Sequence, residues 1–340
     1  MRRAVELSAA VLGTTSPNPP VGAVVLDEHG EVVGEGATQP PGSPHAEVMA
    51  LRQAGSRAHT VVVTLEPCAH TGRTGPCTEQ LIDAGVRRVV IACAEPTELA
   101  GGGAARLRAA GIDVVEGVLR DEVATGPLLA WLHRQRTGRP HVTWKYAATL
   151  DGRAAAADGT SRWITGEQAR ADVHRLRAES DAVVAGVGTV LADDPSLTAR
   201  PGHEAHQPLR VVLDSHGRTP ASAKVLDDAA TTLVVTTSPA YGEDRTLLQD
   251  PRDLDRLLKA LDQRGVVSVL LEGGPTVAGA FIQAGLVDRV IGYVAPALLG
   301  SGPQALADAG IGTIDDAIRL RLDDITRLGD DVRLTLSRVG

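Results

Sequence analysis

Strand-like and helix-like segments alternate along almost the whole chain, and that alternation is the tightest limit on its fold. A helix near Arg3 to Leu12 precedes extended runs at Val21 to Leu26 and Val32 to Gly34, a helix from His45 to Ala54, and the β-branched run Thr60 to Leu65. A helix after Cys77, a strand at Arg88 to Cys93, a helix at Ala104 to Ala110, a strand at Ile112 to Val115 and a closing helix at Leu128 to Arg136 follow. Helices interleaved with strands cover the apolar faces of a sheet, so an α/β layered domain is expected. Thr137-Gly138-Arg139-Pro140 reads as a helix stop and a linker. Beyond it, strand-like runs at His141 to Ala147, Ala182 to Val187, Leu209 to Leu213, Thr231 to Thr236, Val266 to Leu271, Arg289 to Val294 and Val332 to Leu336 enclose helical segments at Gly166 to Ala178, Leu254 to Arg264 and Val277 to Ala284. Two α/β domains, 1–138 and 141–340, are the economical reading, and 340 residues suit two domains.

Aromatic residues make up only 2% of the chain, so Ala, Val and Leu are expected to fill both cores. Net charge is -8, and residues 1–140 hold 13 basic against 15 acidic groups. Neither half has the basic excess that neutralises phosphates, so a nucleic-acid partner is not expected. The longest uncharged stretch, Val290 to Ala307, is broken by Pro296, Gly300, Gly302 and Pro303, which argues against a membrane span. Met1 to Gly13 makes a poor secretory signal because Glu6 interrupts its short apolar run, so the expectation is a cytoplasmic protein. Three cysteines, all before residue 94, cannot build a disulfide framework and point toward metal or catalytic use.

The first domain carries that use. His45-Ala46-Glu47 follows Pro44, Glu66-Pro67-Cys68 comes 23 residues after His45, and Cys77 stands behind Pro76 nine residues later. One imidazole and two thiolates are three zinc ligands that leave the fourth tetrahedral position open, the pattern of a catalytic and not a structural site. The prolines put His45 and Cys77, and by the same reading Cys68, at helix starts, where the dipole favours thiolate. Glu47 lies about 200° around an ideal helix from His45, so the two converge only at the helix end. There the carboxylate would take a proton from zinc-bound water and deliver it to a leaving amine, which suits hydrolytic deamination of an amidine-like carbon. Taken singly, an HxE or a Cys after Pro is an ordinary structural feature; in this order they argue for one zinc per chain. Cys93, inside an apolar run, reads as a small buried strand residue. The known base-deaminase pattern has two residues between its cysteines, whereas eight separate Cys68 from Cys77, and they carry Arg73, suited to an anion such as phosphate.

In the second domain no GxGxxG and no GxxxxGK occurs, which removes the Rossmann and P-loop fingerprints. The turn Leu271-Glu272-Gly273-Gly274-Pro275-Thr276 either cradles a phosphate with bare N–H groups or is simply tight. Two other readings compete at this stage: a nucleic-acid base deaminase with an accessory nucleotide-binding domain, and a non-catalytic zinc-stabilised nucleotide-binding protein. Charge and the single Trp131 in the first half weigh against the former, and the open ligand position with Glu47 against the latter.

Seven segments, SPNPPVGAVV (16–25), SPHAEVMAL (43–51), TLEPCAHTGRTGPC (64–77), WKYAATLDG (144–152), SRWITG (161–166), GVGTVLADDPSLTAR (186–200) and LEGGPTVAGAFIQAGLVD (271–288), resemble the bifunctional riboflavin-biosynthesis deaminase/reductase family over nearly the whole chain. The resemblance implies an N-terminal cytidine-deaminase-like α/β/α domain and a C-terminal dihydrofolate-reductase-like α/β domain. It implies zinc-dependent deamination of 2,5-diamino-6-(ribosylamino)-4(3H)-pyrimidinone 5'-phosphate, a small phosphorylated pyrimidine, then NADPH-dependent reduction of the ribosyl group to ribityl. By position, His45, Cys68 and Cys77 would hold zinc, Glu47 would shuttle protons, and Asn18 and Arg73 would meet the substrate. NADPH contacts fall on Ala147, Trp163, Thr189, Asp193, Ser215 and the run Gly274, Pro275, Thr276, Val277, Ala278, Gly279 and Ala280. Substrate contacts fall on Ser161, Arg177, Leu197, Arg200 and Glu272, with Lys145 assisting reduction at the ribosyl carbon. The chain departs from the family pattern at Thr38, where histidine is common, and at Glu95 and Thr97, where Asp and Asn are. Self-association into a homo-oligomer is left open.

Overall fold

The structure, a computed structural model, describes residues 1–70, 75–97, 100–200, 206–238, 241–242 and 245–338. The chain divides into two units, Met1–Arg139 and Pro140–Gly340.

The first unit is built on β1 (Gly22–Leu26), β2 (Val32–Ala37), β3 (Thr60–Leu65), β4 (Arg88–Cys93) and β5 (Asp113–Glu116), in the order β2-β1-β3-β4-β5. β1 runs antiparallel to β2 and β3, while β3, β4 and β5 are parallel. Helices α1 (Arg2–Ala9), α2 (Ala46–Ala54), α3 (Cys77–Asp83), α4 (Gly103–Ala109), α5 (Arg120–Thr125) and α6 (Leu129–Thr137) complete it. Period-two alternation sorts the sheet's side chains. Val24 and Val62 pack with Ala4 of α1 on one face. Gly34 and Gly36 pair with Val25 and Ala23 on the other, and a Cβ on Gly36 would sit 2.2 Å from the Ala46 carbonyl oxygen, so only glycine lets the α2 backbone lie this close. The expected α/β/α layering results, and α2 starts beside the sheet.

The second unit holds one sheet in the order β10-β9-β8-β7-β11-β6-β12-β14-β13. Its strands are β6 (His141–Thr149), β7 (Ala182–Gly186), β8 (Leu209–Leu213), β9 (Thr232–Thr236), β10 (Thr246–Leu248), β11 (Ser268–Leu271), β12 (Arg289–Ala295), β13 (Leu320–Leu328) and β14 (Asp331–Arg338). Strands β6 to β12 are mutually parallel, and the β13–β14 hairpin adds an antiparallel edge. Helices α7 (Glu167–Ala178), α8 (Val187–Asp193), α9 (Leu254–Asp262) and α10 (Pro275–Gln283) connect them. Val184, Val211 and Val235 pack against the leucines of α9 and Phe281 of α10; Val183, Val212 and Val234 face Val187, Val190 and Leu197. With both faces covered, the central strands are near-continuously apolar, and aliphatic residues make up most of the core as the composition requires.

Some boundaries differ from the sequence reading. β2 runs on to Ala37, and α1 stops at Ala9. Helices α5 and α8 and strands β10 and β13 were not anticipated. The α8 sequence VGTVLAD holds one glycine and three β-branched residues, yet burial of Val187 and Val190 holds it helical. β13 is mostly exposed and lacks an apolar alternation to announce it. Among the described residues, no helix is long and apolar enough to cross a membrane.

Candidate active sites

In the first unit three chain segments meet at one point. His45 is the N-cap of α2 with extended backbone (φ -72, ψ 165), Cys77 is the first residue of α3 behind the N-cap Pro76, and Cys68 lies in the loop after β3. Cys68 is therefore not at a helix start, a correction to the sequence reading. Its position comes from β3, whose carboxyl end delivers Glu66-Pro67-Cys68. His45 Nδ1 lies 3.2 Å from Cys77 Sγ and 3.8 Å from Cys68 Sγ, and the three donor atoms are all within 4.8 Å of one another. Bonds of about 2.0–2.3 Å from a tetrahedral zinc put neighbouring ligand atoms roughly 3.5–3.8 Å apart, so this donor set fits zinc. Cys77 N–H donates to Cys68 Sγ at 3.4 Å. Hydrogen bonds from Cys77 and His45 hold the Cys68 thiol down to about 4, and the Cys68 sulfur together with burial pushes Cys77 up.

Glu47 sits in the first turn of α2 and is 4% exposed. The helical 200° separation does not apply, because His45 is outside the helix and its extended backbone aims the ring independently. Burial raises the Glu47 carboxyl above the usual carboxylate range, and the side chain contacts the Cys77 thiol. Asn18 is half-buried in the loop before β1, its N–H donating to Thr15 O at 2.9 Å. Thr38 is buried, and its hydroxyl oxygen accepts from Val21 N–H at 3.0 Å, so its side chain serves the backbone. Glu95 accepts from Thr97 N–H and Oγ1 at 3.1 and 2.7 Å. Arg73 lies outside the described residues.

Several of the second unit's sequence-selected residues, Ser215, Glu272 and Gly274 among them, follow the carboxyl ends of parallel strands, where open α/β sheets bind ligands. Glu272, just past β11, is the hub. Arg177, in the last turn of α7, donates Nε and Nη2 to its two oxygens at 2.6 and 2.9 Å, and Lys145 Nζ of β6 is 3.5 Å from Oε2. Although burial pushes the Glu272 carboxyl up, Arg177 and Lys145 hold it down to about 2. Burial lowers Lys145 and Glu272 counters it. Arg177 Nη1 also donates to Thr198 O at 3.2 Å, so three of its five N–H donors are already committed.

Around this hub the N-terminus of α10 opens at the N-cap Gly274 with Pro275 at its first position. Gly274 lies against Thr189 of α8, whose Oγ1 would be 3.5 Å from a Cβ there. Val277 packs at Gly273 and Gly186, while Ala278 and Gly279 are buried within α10. Ser161 Oγ donates to Asp193 Oδ1 at 3.4 Å. Trp163 is exposed with the Arg170 guanidinium 4.6 Å above its ring. Ala147 lies on β6, and Ser215 follows β8, its carbonyl accepting from Thr237 Oγ1 at 2.7 Å. Leu197 is buried with φ 52, and Arg200 is exposed.

Sequence reasoning missed His174, one turn before Arg177 on α7. Its Nδ1 is 3.2 Å from Thr198 O, and burial followed by the charges of Arg177 and Arg200 drives it down to about 4. The i,i+3 spacing of His174 and Arg177 was the available signal. Tyr293, whose ring centroid is 6.0 Å from Lys145 Nζ, was also missed.

Comparison with known proteins follows the same division. Residues 1–93 match the family description "Cytidine and deoxycytidylate deaminase zinc-binding region", and residues 140–334 match "RibD C-terminal domain". The chain is 51% identical over 341 residues to the riboflavin biosynthesis protein RibD of Mycobacterium tuberculosis, spanning 99% of this chain and 96% of that one. It is 43% identical to RibD of Escherichia coli, covering 99% and 98%. Among solved structures, Acinetobacter baumannii RibD superposes with a TM-score of 0.89 at 42% identity, over 100% of this chain and 98% of the other. A diaminohydroxyphosphoribosylaminopyrimidine deaminase/5-amino-6-(5-phosphoribosylamino)uracil reductase from Thermotoga maritima does so at 0.92 and 35%, over 100% and 97%.

Proposed function

This chain belongs to the RibD family of riboflavin biosynthesis proteins, and from that premise we propose which residues carry out its two reactions and where its domains divide. It is a bifunctional enzyme with a zinc-binding deaminase domain and an NADPH-using reductase domain, acting on a small phosphorylated pyrimidine. We assign deamination of the diaminopyrimidinone ribosyl phosphate to residues 1–138 and reduction of the ribosyl group to 141–340. The convergence of His45, Cys68 and Cys77 beside a buried Glu47 supports the first assignment best.

His45, Cys68 and Cys77 would hold the zinc, which when bound would supply a Lewis acid that makes water a nucleophile near neutral pH. Glu47 moves the protons: its carboxylate takes one from the attacking water and returns it to the departing amine. Burial raises its carboxyl, which makes the carboxylate a stronger base toward the attacking water. Asn18, Glu95 and Thr97 line the pyrimidine's approach, and Arg73 is assigned to the substrate from its sequence position alone.

Thr189, Asp193, Ser215 and the start of α10, together with Ala147 and Trp163, would hold NADPH, which when bound would supply the hydride for the ribosyl carbon. Lys145 Nζ donates the proton to the sugar oxygen, held charged against burial by Glu272. Arg177, Arg200, Ser161 and Leu197 receive the phosphorylated sugar. Supplying the purified protein with the diaminopyrimidinone phosphate and NADPH tests the assignment: ammonia should appear first and NADPH absorbance then fall. Neither signal, from protein loaded with zinc, contradicts it.

We further propose that the enzyme works without nucleic acid, given its net charge of -8, and in the cytoplasm, where thiol ligands stay reduced. Exposed Leu320, Leu322 and Ile325 on the edge strand β13 support self-association.

A further inference from the structure

Glu66 precedes the ligand Cys68 by two residues and has no part in the chemistry assigned above. Its side chain is buried, and a buried carboxylate needs partners. Both oxygens accept from backbone N–H groups of one distant segment: Oε2 from Glu95 at 2.9 Å and Oε1 from Ala104 at 2.8 Å. Main-chain bonds join the same stretches, from Glu66 N–H to Cys93 O at 2.9 Å and from Ala69 N–H to Ala100 O at 3.2 Å. At Gly103 a Cβ would stand 1.9 Å from the Pro67 carbonyl oxygen, so the two segments are in backbone contact. Glu95 in turn ties down Thr97 through its own carboxylate.

We propose that Glu66 is a positioning residue for deamination: it clamps the loop bearing Glu95 and Thr97 to the loop bearing Cys68, and so sets where the pyrimidine pocket stands relative to the metal. The proposal rests on the reading that Glu95 and Thr97 line that pocket. A carboxylate is the group the clamp needs, because two N–H donors converge on two acceptor oxygens. In Glu66→Gln the amide nitrogen would face one of those donors and leave it unpaired.

The test is Glu66→Gln in the full-length, zinc-loaded enzyme, followed by amide hydrogen exchange, zinc content and the kinetics of each reaction. Exchange over residues 93–97 and 100–104 should accelerate, zinc should stay at one per chain, and the deaminase KM should rise roughly tenfold with a smaller change in kcat. Reductase constants on deaminated substrate should not move. Gly103→Ala, which parts the same segments from the other side, should give the same split. Unchanged exchange overturns the clamp, and so does zinc loss accompanied by a fall in kcat, which would make Glu66 a support for the ligand loop alone. Accelerated exchange with an unchanged KM overturns the positioning role by removing Glu95 and Thr97 from the pocket; unchanged constants in Glu95→Ala and Thr97→Ala would locate the failure there.

Discussion

Glu272→Gln removes the negative charge between two half-buried cations, and its cost can be worked from the structure. The carboxyl is held down to about 2 against an ordinary value of 4.5. Each pKa unit between folded and unfolded states is worth about 1.4 kcal/mol, so ionisation of Glu272, with its ion pairs set against its burial, contributes about 3 kcal/mol net at neutral pH. Because the folded value is depressed, that stabilisation is complete above about 4.5 and is lost as pH falls toward 2. Glutamine leaves Arg177 and Lys145 without their counter-charge, and breaking a buried pair in this way typically costs 3–5 kcal/mol, in agreement. For a unit of about 200 residues, roughly 2–4 °C of melting temperature per kcal/mol predicts a loss of about 6–12 °C. Scanning calorimetry at pH 7, with the two units' transitions resolved, reads it directly. The wild-type reductase transition should fall steeply between pH 4.5 and 3, and the Glu272→Gln transition less so. A variant melting within about 2 °C of wild type at pH 7 would refute the reasoning.

Cys77→Ala removes one of three ligands, so zinc measured by elemental analysis should fall well below one per chain; full occupancy would sink the ligand set. Arg200→Leu should lower kcat/KM for the deaminated phosphorylated substrate roughly 10- to 100-fold, the worth of one charge-assisted bond to phosphate, and much less for the dephosphorylated riboside. Equal penalties on both substrates would assign Arg200 to packing or cofactor binding.

The parts of this molecule that were legible in the sequence are those whose signal is local. The run Thr60–Leu65 is β-branched at every position before Leu65 and became β3 at the expected limits, as did Arg88–Cys93 as β4. The convergence of His45, Cys68 and Cys77 was legible because metal ligation would demand those side chains at strand and helix ends. The illegible parts depend on partners far away in the chain. Arg177 and Glu272 are 95 residues apart, so nothing near either one announces a bidentate pair. The clamp of Glu66 uses backbone N–H groups, which leave no mark on residue identity. β13 was missed because an edge strand open to solvent tolerates Arg321, Asp323 and Asp324 among its apolar residues, and the alternation that marks a half-buried strand is lost.

The central claim is that two separate sites on one chain carry out the two reactions, with Glu47 serving only the first. Glu47→Gln preserves the shape of its site and removes the proton carrier, so one preparation of that variant, loaded with zinc, should be assayed on both substrates. Ammonia release from the diaminopyrimidinone phosphate should fall by at least roughly 10²-fold, while NADPH oxidation with already deaminated substrate should match the wild type. A parallel fall of both activities would contradict the two-site account.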